Sequence, residues 1–199
     1  MQLDIELYRH EVPIVTGSPP RPLRLSAFDI SPEHPARAFV FLHGFGGNAR
    51  QWRHQLQHFS DTNRVIALDM RGHGFSDQPA DGYAMPRLLS DLEAALAALG
   101  VSGPMVLVAH SFGGALAAEF AAAHPERVEK LVLIASSGEY RLIPNLRYAL
   151  SLPVTLLNLV YPFLKSSLLA PPAVLTQMHR ETVRKWNGWS LFRSLRVPT

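Results

Sequence analysis

The chain has 199 residues, 47% hydrophobic and 18% charged, with 16 prolines, 13 glycines and no cysteine. That composition belongs to a globular domain able to bury its own core. It excludes a disordered or collagen-like chain, a disulfide scaffold, a thiolate zinc site and a cysteine nucleophile. The net charge of +3 conceals an asymmetry, because residues 1–139 carry 11 basic and 15 acidic side chains whereas 140–199 carry 8 and 1. The C-terminal basic residues are scattered among leucines and prolines rather than grouped beside a nucleic-acid motif, so no nucleic-acid partner is expected. Asp4 and Glu6 stand where a signal peptide would need basic residues, which makes the cytoplasm the expected compartment.

Strand-like apolar runs fall at about 3–9, 22–30, 38–43, 64–69, 104–110 and 129–135, and helix-like segments lie between them. The alternation predicts an α/β fold, a mostly parallel central sheet covered by helices on both faces. Residues 85–99 place Leu88, Leu89, Leu92, Ala95, Leu96 and Leu99 on one helical face, and Gly100 follows as the stop. Gly113 to Ala123 is small and apolar, as suits a helix packed closely on a sheet. After Tyr140 the alternation ends. The organisation read from this is a core over 1–139, a helical cap or lid over 140–194, and the start of a further core strand over 195–199. The 17 uncharged residues between Arg147 and Lys165 approach the length of a membrane span, but Pro153, Asn158 and Pro162 interrupt them. A lid with an apolar inner face is favoured over contact with a membrane surface.

Three segments carry chemistry. In Val106–Gly114 an apolar strand runs into Ser111 and then into Gly113 and Gly114, which open a helix. Such a turn is a nucleophile elbow: it strains the serine, demands small neighbours two residues either side, and lifts Oγ above the sheet. Ala109 stands where the usual pattern has glycine. A serine that merely caps a helix is the plain alternative. In Phe39–Gly47 a second strand ends in His43, Gly44, Phe45, Gly46 and Gly47, a loop whose backbone N–H groups suit an oxyanion; Phe45 and Phe112 would supply them. The third segment, Asp69 to Asp77, contains Arg71 and His73 and reads as a tight loop.

In this order, the HGFGG loop, the D-x-R-G-H-G-x-S loop and the AHSFGG elbow resemble the α/β-hydrolase fold superfamily. The resemblance covers residues 1–139 and implies a serine hydrolase core with a helical cap after the sixth strand. It implies Ser111 as nucleophile, Phe45 and Phe112 as oxyanion donors, and structural roles for His43, Asp69, Arg71 and His73. Serine at the elbow argues against the epoxide hydrolases and haloalkane dehalogenases of this fold, which use aspartate there. No metal or organic cofactor is implied. The expected reaction is hydrolysis of a carboxylic ester or related acyl bond in a small molecule. The cap leucines with Tyr148, Tyr161 and Phe163 point to an apolar acyl or aromatic ester.

A triad serine needs a histidine and an orienting carboxylate that follow it in the chain. His179 and Glu139 are weak candidates for base and acid, so the acid and base are expected beyond residue 199, the chain being read as the N-terminal portion of a longer hydrolase. A pseudoenzyme serving as a binding module is the alternative. So is a dinucleotide-binding oxidoreductase, because Gly44–Ala49 matches G-x-G-x-x-G/A and Asp69 follows 20 residues after Ala49. His54 and His58 share a helix face, but Gln55 replaces the glutamate of a zinc motif.

Overall fold

A computed structural model describes residues 3–136, 153–160 and 170–183. Glu139, Tyr148, Tyr161, Phe163 and residues 195–199 lie outside the described residues, as does much of the expected 140–194 cap. Six strands form one sheet: β1 (Arg9–Thr16), β2 (Arg21–Ile30), β3 (Ala38–Leu42), β4 (Arg64–Asp69), β5 (Met105–His110) and β6 (Val128–Ile134), in spatial order β1-β2-β4-β3-β5-β6. The pairs β3/β4, β3/β5 and β5/β6 are parallel, whereas β1/β2 and β2/β4 are antiparallel.

The strand expected over 3–9 is not there. Asp4 instead caps a 3-10 turn over Ile5–Tyr8, accepting the Glu6 N–H at 3.1 Å, and the first strand begins at Arg9. Its signal is the alternation of Val12, Ile14 and Thr16, all buried, which Pro13 interrupts in the sequence. Proline is tolerated here because β1 is an edge strand. The other five strands form within a residue of their expected bounds.

Period-two alternation splits the strand side chains between two cores. Val40, Leu42, Ile66, Leu68, Leu107 and Ala109 face one side, where α2 (Met85–Ala98) and α3 (Phe112–Ala123) cover them. Phe41, Val65, Ala67, Val106 and Val108 face the other, under Trp52 and Leu56 at the start and middle of α1 (Arg53–Phe59) and its preceding turn. The α2 stripe buries Leu88, Leu92, Ala95 and Leu96 as expected. The helix stops where Gly100 takes φ +67° and Val101 N–H reaches back to Leu96 C=O at 2.8 Å.

Two further helices are described: α4 (Val154–Val160), with Leu156 and Leu159 exposed, and α5 (Pro172–Met178), which continues into a π-turn at His179–Val183. Ala170, Val174 and Met178 belong to the same core as α2 and α3, so residues 170–183 lie on the sheet domain as a docked strap. No described helix is long and apolar enough to cross a membrane.

Candidate active site

The connection from β3 leads to β4 on one side of it, and β5 lies on the other. At such a switch point, loops leaving the carboxyl ends of neighbouring strands diverge and open a crevice. The loop after β3 begins at His43 and the turn after β5 at Ser111, so the sheet brings together the two segments singled out in the sequence.

Ser111 has φ +50° and ψ −115°, a conformation that costs an L-residue of order 1–3 kcal/mol. The surroundings enforce it. Ser111 N–H donates to Ile134 C=O at the end of β6 (2.9 Å), and Gly114 N–H donates to Ser111 C=O at 3.0 Å as α3 begins. A Cβ at Gly113 would lie 2.4 Å from His43 O, and one at Gly44 would lie 2.7 Å from His110 Nδ1 and 3.3 Å from Ser111 Cβ. Those two contacts are the physical reason for glycine on each side of the junction. Phe45 and Phe112 meet edge to face, ring centroids 6.2 Å apart.

Two buried histidines join the β3 loop to the β4 loop in reciprocal fashion. His43 Nδ1–H donates to Gly44 C=O at 2.8 Å, and its Nε2 accepts Met70 N–H at 3.0 Å. His73 Nδ1–H donates to Arg71 C=O at 2.9 Å, and its Nε2 accepts Gly46 N–H at 3.3 Å. Both rings are therefore neutral with the proton on Nδ1, and they pack at 4.8 Å. Burial lowers the His43 pKa to about 4 and that of His73 to about 3, the second being pushed further by its neighbour His43. Asp69 completes the join by accepting Ala49 N–H at 2.7 Å and Phe75 N–H at 3.0 Å; burial raises its pKa against the pull of these two donors.

The Gly44–Phe45 peptide is oriented by the same network. Gly44 C=O accepts both His43 Nδ1–H and Gly47 N–H (3.0 Å), and in a trans peptide the following N–H points the opposite way. Phe45 N–H is thus aimed by contacts made to the other end of its peptide.

Arg71 lies away from this junction and forms a buried two-pronged pair with Asp91 (Nε–Oδ2 2.6 Å, Nη2–Oδ1 2.8 Å), and Thr16 Oγ–H donates to the same carboxylate at 2.7 Å. The pair ties the β4 loop to α2 and β1. Sequence reading did not find Asp91, whose signal is a lone carboxylate on the apolar face of an amphipathic helix. It also missed Ala135, which like Ser111 has positive φ (+49°) and comes directly after the β6 carbonyl that holds Ser111.

The dinucleotide reading does not survive this geometry. The Asp69 carboxylate that would bind a ribose is 2% exposed and engaged with two backbone N–H groups, and the loop follows the third strand of the sheet. His54 and His58 are exposed, with His54 Nε2 accepting Arg53 Nε–H at 3.2 Å, and among the described residues no cluster of three ligating side chains forms. His179 lies on the strap, 8% exposed.

The family model described as alpha/beta hydrolase fold matches residues 37–170, and the chain belongs to that family. Among curated relatives, it is 37% identical over 148 residues to epoxide hydrolase 3 of Xenopus tropicalis, covering 73% of this chain and 39% of that one. It is 49% identical over 80 residues to 2-hydroxymuconate semialdehyde hydrolase of Pseudomonas putida, covering 40% and 28%. The chain thus spans about two fifths or less of the length of these relatives. Among solved structures, the esterase EaEST from Exiguobacterium antarcticum superposes with a TM-score of 0.73 at 19% identity, over 94% of this chain and 78% of that one. At that identity the likeness is one of fold.

Proposed function

We propose that the protein is a serine hydrolase that cleaves a carboxylic ester or related acyl bond of a small molecule, with Ser111 as nucleophile. The observation that carries this reading is the strained Ser111 at the carboxyl end of β5, with its N–H on Ile134 C=O and its Cβ against the Gly44 turn. Ser111 Oγ attacks the acyl carbon, the carbonyl oxygen takes the negative charge, and the N–H groups of Phe45 and Phe112 receive it. The hydroxyl proton passes to a histidine held by a carboxylate, both contributed from outside the described residues, and is returned to the departing alcohol. Water then attacks the acyl-enzyme and releases the acid. Residues 140–194 act as the cap over this crevice, and their leucines and aromatic residues favour an apolar acyl or aromatic group.

Several curated relatives are named epoxide hydrolases, and the elbow residue separates this chain from that chemistry. Ring opening by a serine would leave an alkyl ether, which water does not cleave under these conditions, whereas acyl transfer leaves an ester that it does. The reading therefore predicts turnover of p-nitrophenyl esters and none of styrene oxide. A fluorophosphonate probe should label Ser111, as located by peptide mass. Ser111→Ala should abolish labelling and lower ester turnover by about 1,000-fold or more. An unlabelled serine in the complete protein would favour the binding-module alternative.

A further inference from the structure

The strap over residues 170–183 meets the β3 loop where Ala170 N–H donates to Gly46 C=O at 2.8 Å. It is seated by apolar contacts and by a latch. Val174 packs where a Cβ on Gly72 would come within 2.5 Å of its Cγ1, and Met178 is fully buried. Glu181 Oε2 accepts Tyr83 N–H at 2.6 Å, while its other oxygen accepts from the Gln177 side-chain amide. Tyr83 belongs to the segment leading from the β4 loop into α2, so the latch fastens the strap to the same framework that holds the histidine pair.

Gly46 C=O shares its peptide plane with Gly47 N–H, and Gly47 N–H donates to Gly44 C=O. Gly44 C=O in turn shares its plane with Phe45 N–H. Two hydrogen bonds and two rigid planes therefore lead from the strap to the N–H that receives the oxyanion in the reading above. Three successive peptides of the loop are pinned, the first by His43 and Gly47, the second by His73, and the third by the strap.

We propose that residues 170–183 are a positioning element for the oxyanion loop: seating of the strap, through Ala170 N–H on Gly46 C=O and the Glu181–Tyr83 latch, sets the orientation of Phe45 N–H. This rests on the serine-hydrolase reading for its catalytic consequence but not for its structural one. Neither Ala170 nor Glu181 contacts reacting atoms in this scheme; they act through the Gly46–Gly47 and Gly44–Phe45 peptides. A substrate that lifts or settles the strap would thereby tune the donor as well as the pocket wall.

The test replaces Ala170 in the complete protein with lactic acid, which exchanges the N–H for an ester oxygen while keeping the methyl side chain, and compares Glu181→Ala with Glu181→Gln, since the amide retains an acceptor oxygen. Amide hydrogen exchange of residues 44–48 should quicken by about 5- to 10-fold in the Ala170 ester and in Glu181→Ala, with Glu181→Gln restoring most of the protection. For p-nitrophenyl esters, kcat should fall by about the same factor while KM changes less than about 2-fold. Unchanged exchange at Gly47 in both altered proteins would overturn the proposal, as would a rise in KM with kcat intact, which would make the strap a substrate wall only. Faster exchange in a protein whose Ser111 resists the fluorophosphonate would support the strap coupling while removing the hydrolase reading.

Discussion

The two regions that meet at Gly46 are built from different materials. On one side the β3 and β4 loops are wired by buried polar groups, with His43, His73 and Asp69 each bonding backbone of both loops or of the loop that bears it. On the other the strap is seated by the buried side chains of Ala170, Val174 and Met178, with hydrogen bonds across the seam at Ala170–Gly46 and Glu181–Tyr83. Directional bonds fix angles, and angles are what the proposed oxyanion donor needs. Apolar contacts fix proximity but tolerate sliding, which suits an element over a crevice. The contrast implies that the loop pair and the strap should fail under different insults.

The largest expected effect of a single substitution on stability lies on the wired side. Asp91→Ala removes one half of the buried pair with Arg71 and leaves the guanidinium uncompensated, so unfolding free energy in urea should fall by about 3–5 kcal/mol. A loss under about 1 kcal/mol would mean that solvent reaches Arg71 readily and that the β4 loop is less rigidly tied than the geometry indicates.

Acid should act next, and on the same side. Folding holds His43 and His73 neutral, with pKa values of about 4 and about 3 against 6.5, so the unfolded chain binds more protons as pH falls below 6.5. Stability is therefore fully present above pH 6.5 and is lost as pH drops through about 4 and then about 3. The slope approaches 1.4 kcal/mol per pH unit for each ring, or roughly 3 kcal/mol from His43 alone by pH 4. Unfolding free energy measured from pH 7.5 to pH 4 checks this; a flat profile would show that the rings are protonated in the fold and that their Nε2 acceptor roles are misassigned.

The smallest global effect should come from the strap. Met178→Ala removes a fully buried side chain and should weaken docking by about 2 kcal/mol or more, seen as protease cleavage within 170–183 at conditions where the sheet domain stays folded. If instead the whole protein unfolds in one step at a lowered midpoint, the strap is an integral part of the core and the distinction drawn above collapses.

Much of the sheet was legible because its strands are local: Ala38–Leu42, Arg64–Asp69 and Met105–His110 are continuous apolar runs, which is how strands buried on both faces read. The first strand was hidden because Pro13 breaks its pattern and only the edge position of β1 makes that proline acceptable. The elbow, too, could be read from spacing, since the glycines near Ser111 are demanded by approach distances that depend on two short segments. Asp91, Ile134 and Ala170 could not. Each acts on a residue 20 or more positions away, through a buried side chain or a backbone group with no sequence signature.

The sequence by itself determined the α/β alternation, the order of its three motifs and the serine placed after the fifth strand, because these follow from side-chain period and from the small residues a sharp turn requires. Tertiary structure alone decided that the β3 loop meets the β5 turn at a switch point, that two histidines are fixed as neutral cross-links, and that the strap hands a hydrogen bond to Gly46. Those outcomes depend on which strands become neighbours and which groups lose their water, and both are settled only when distant segments pack together.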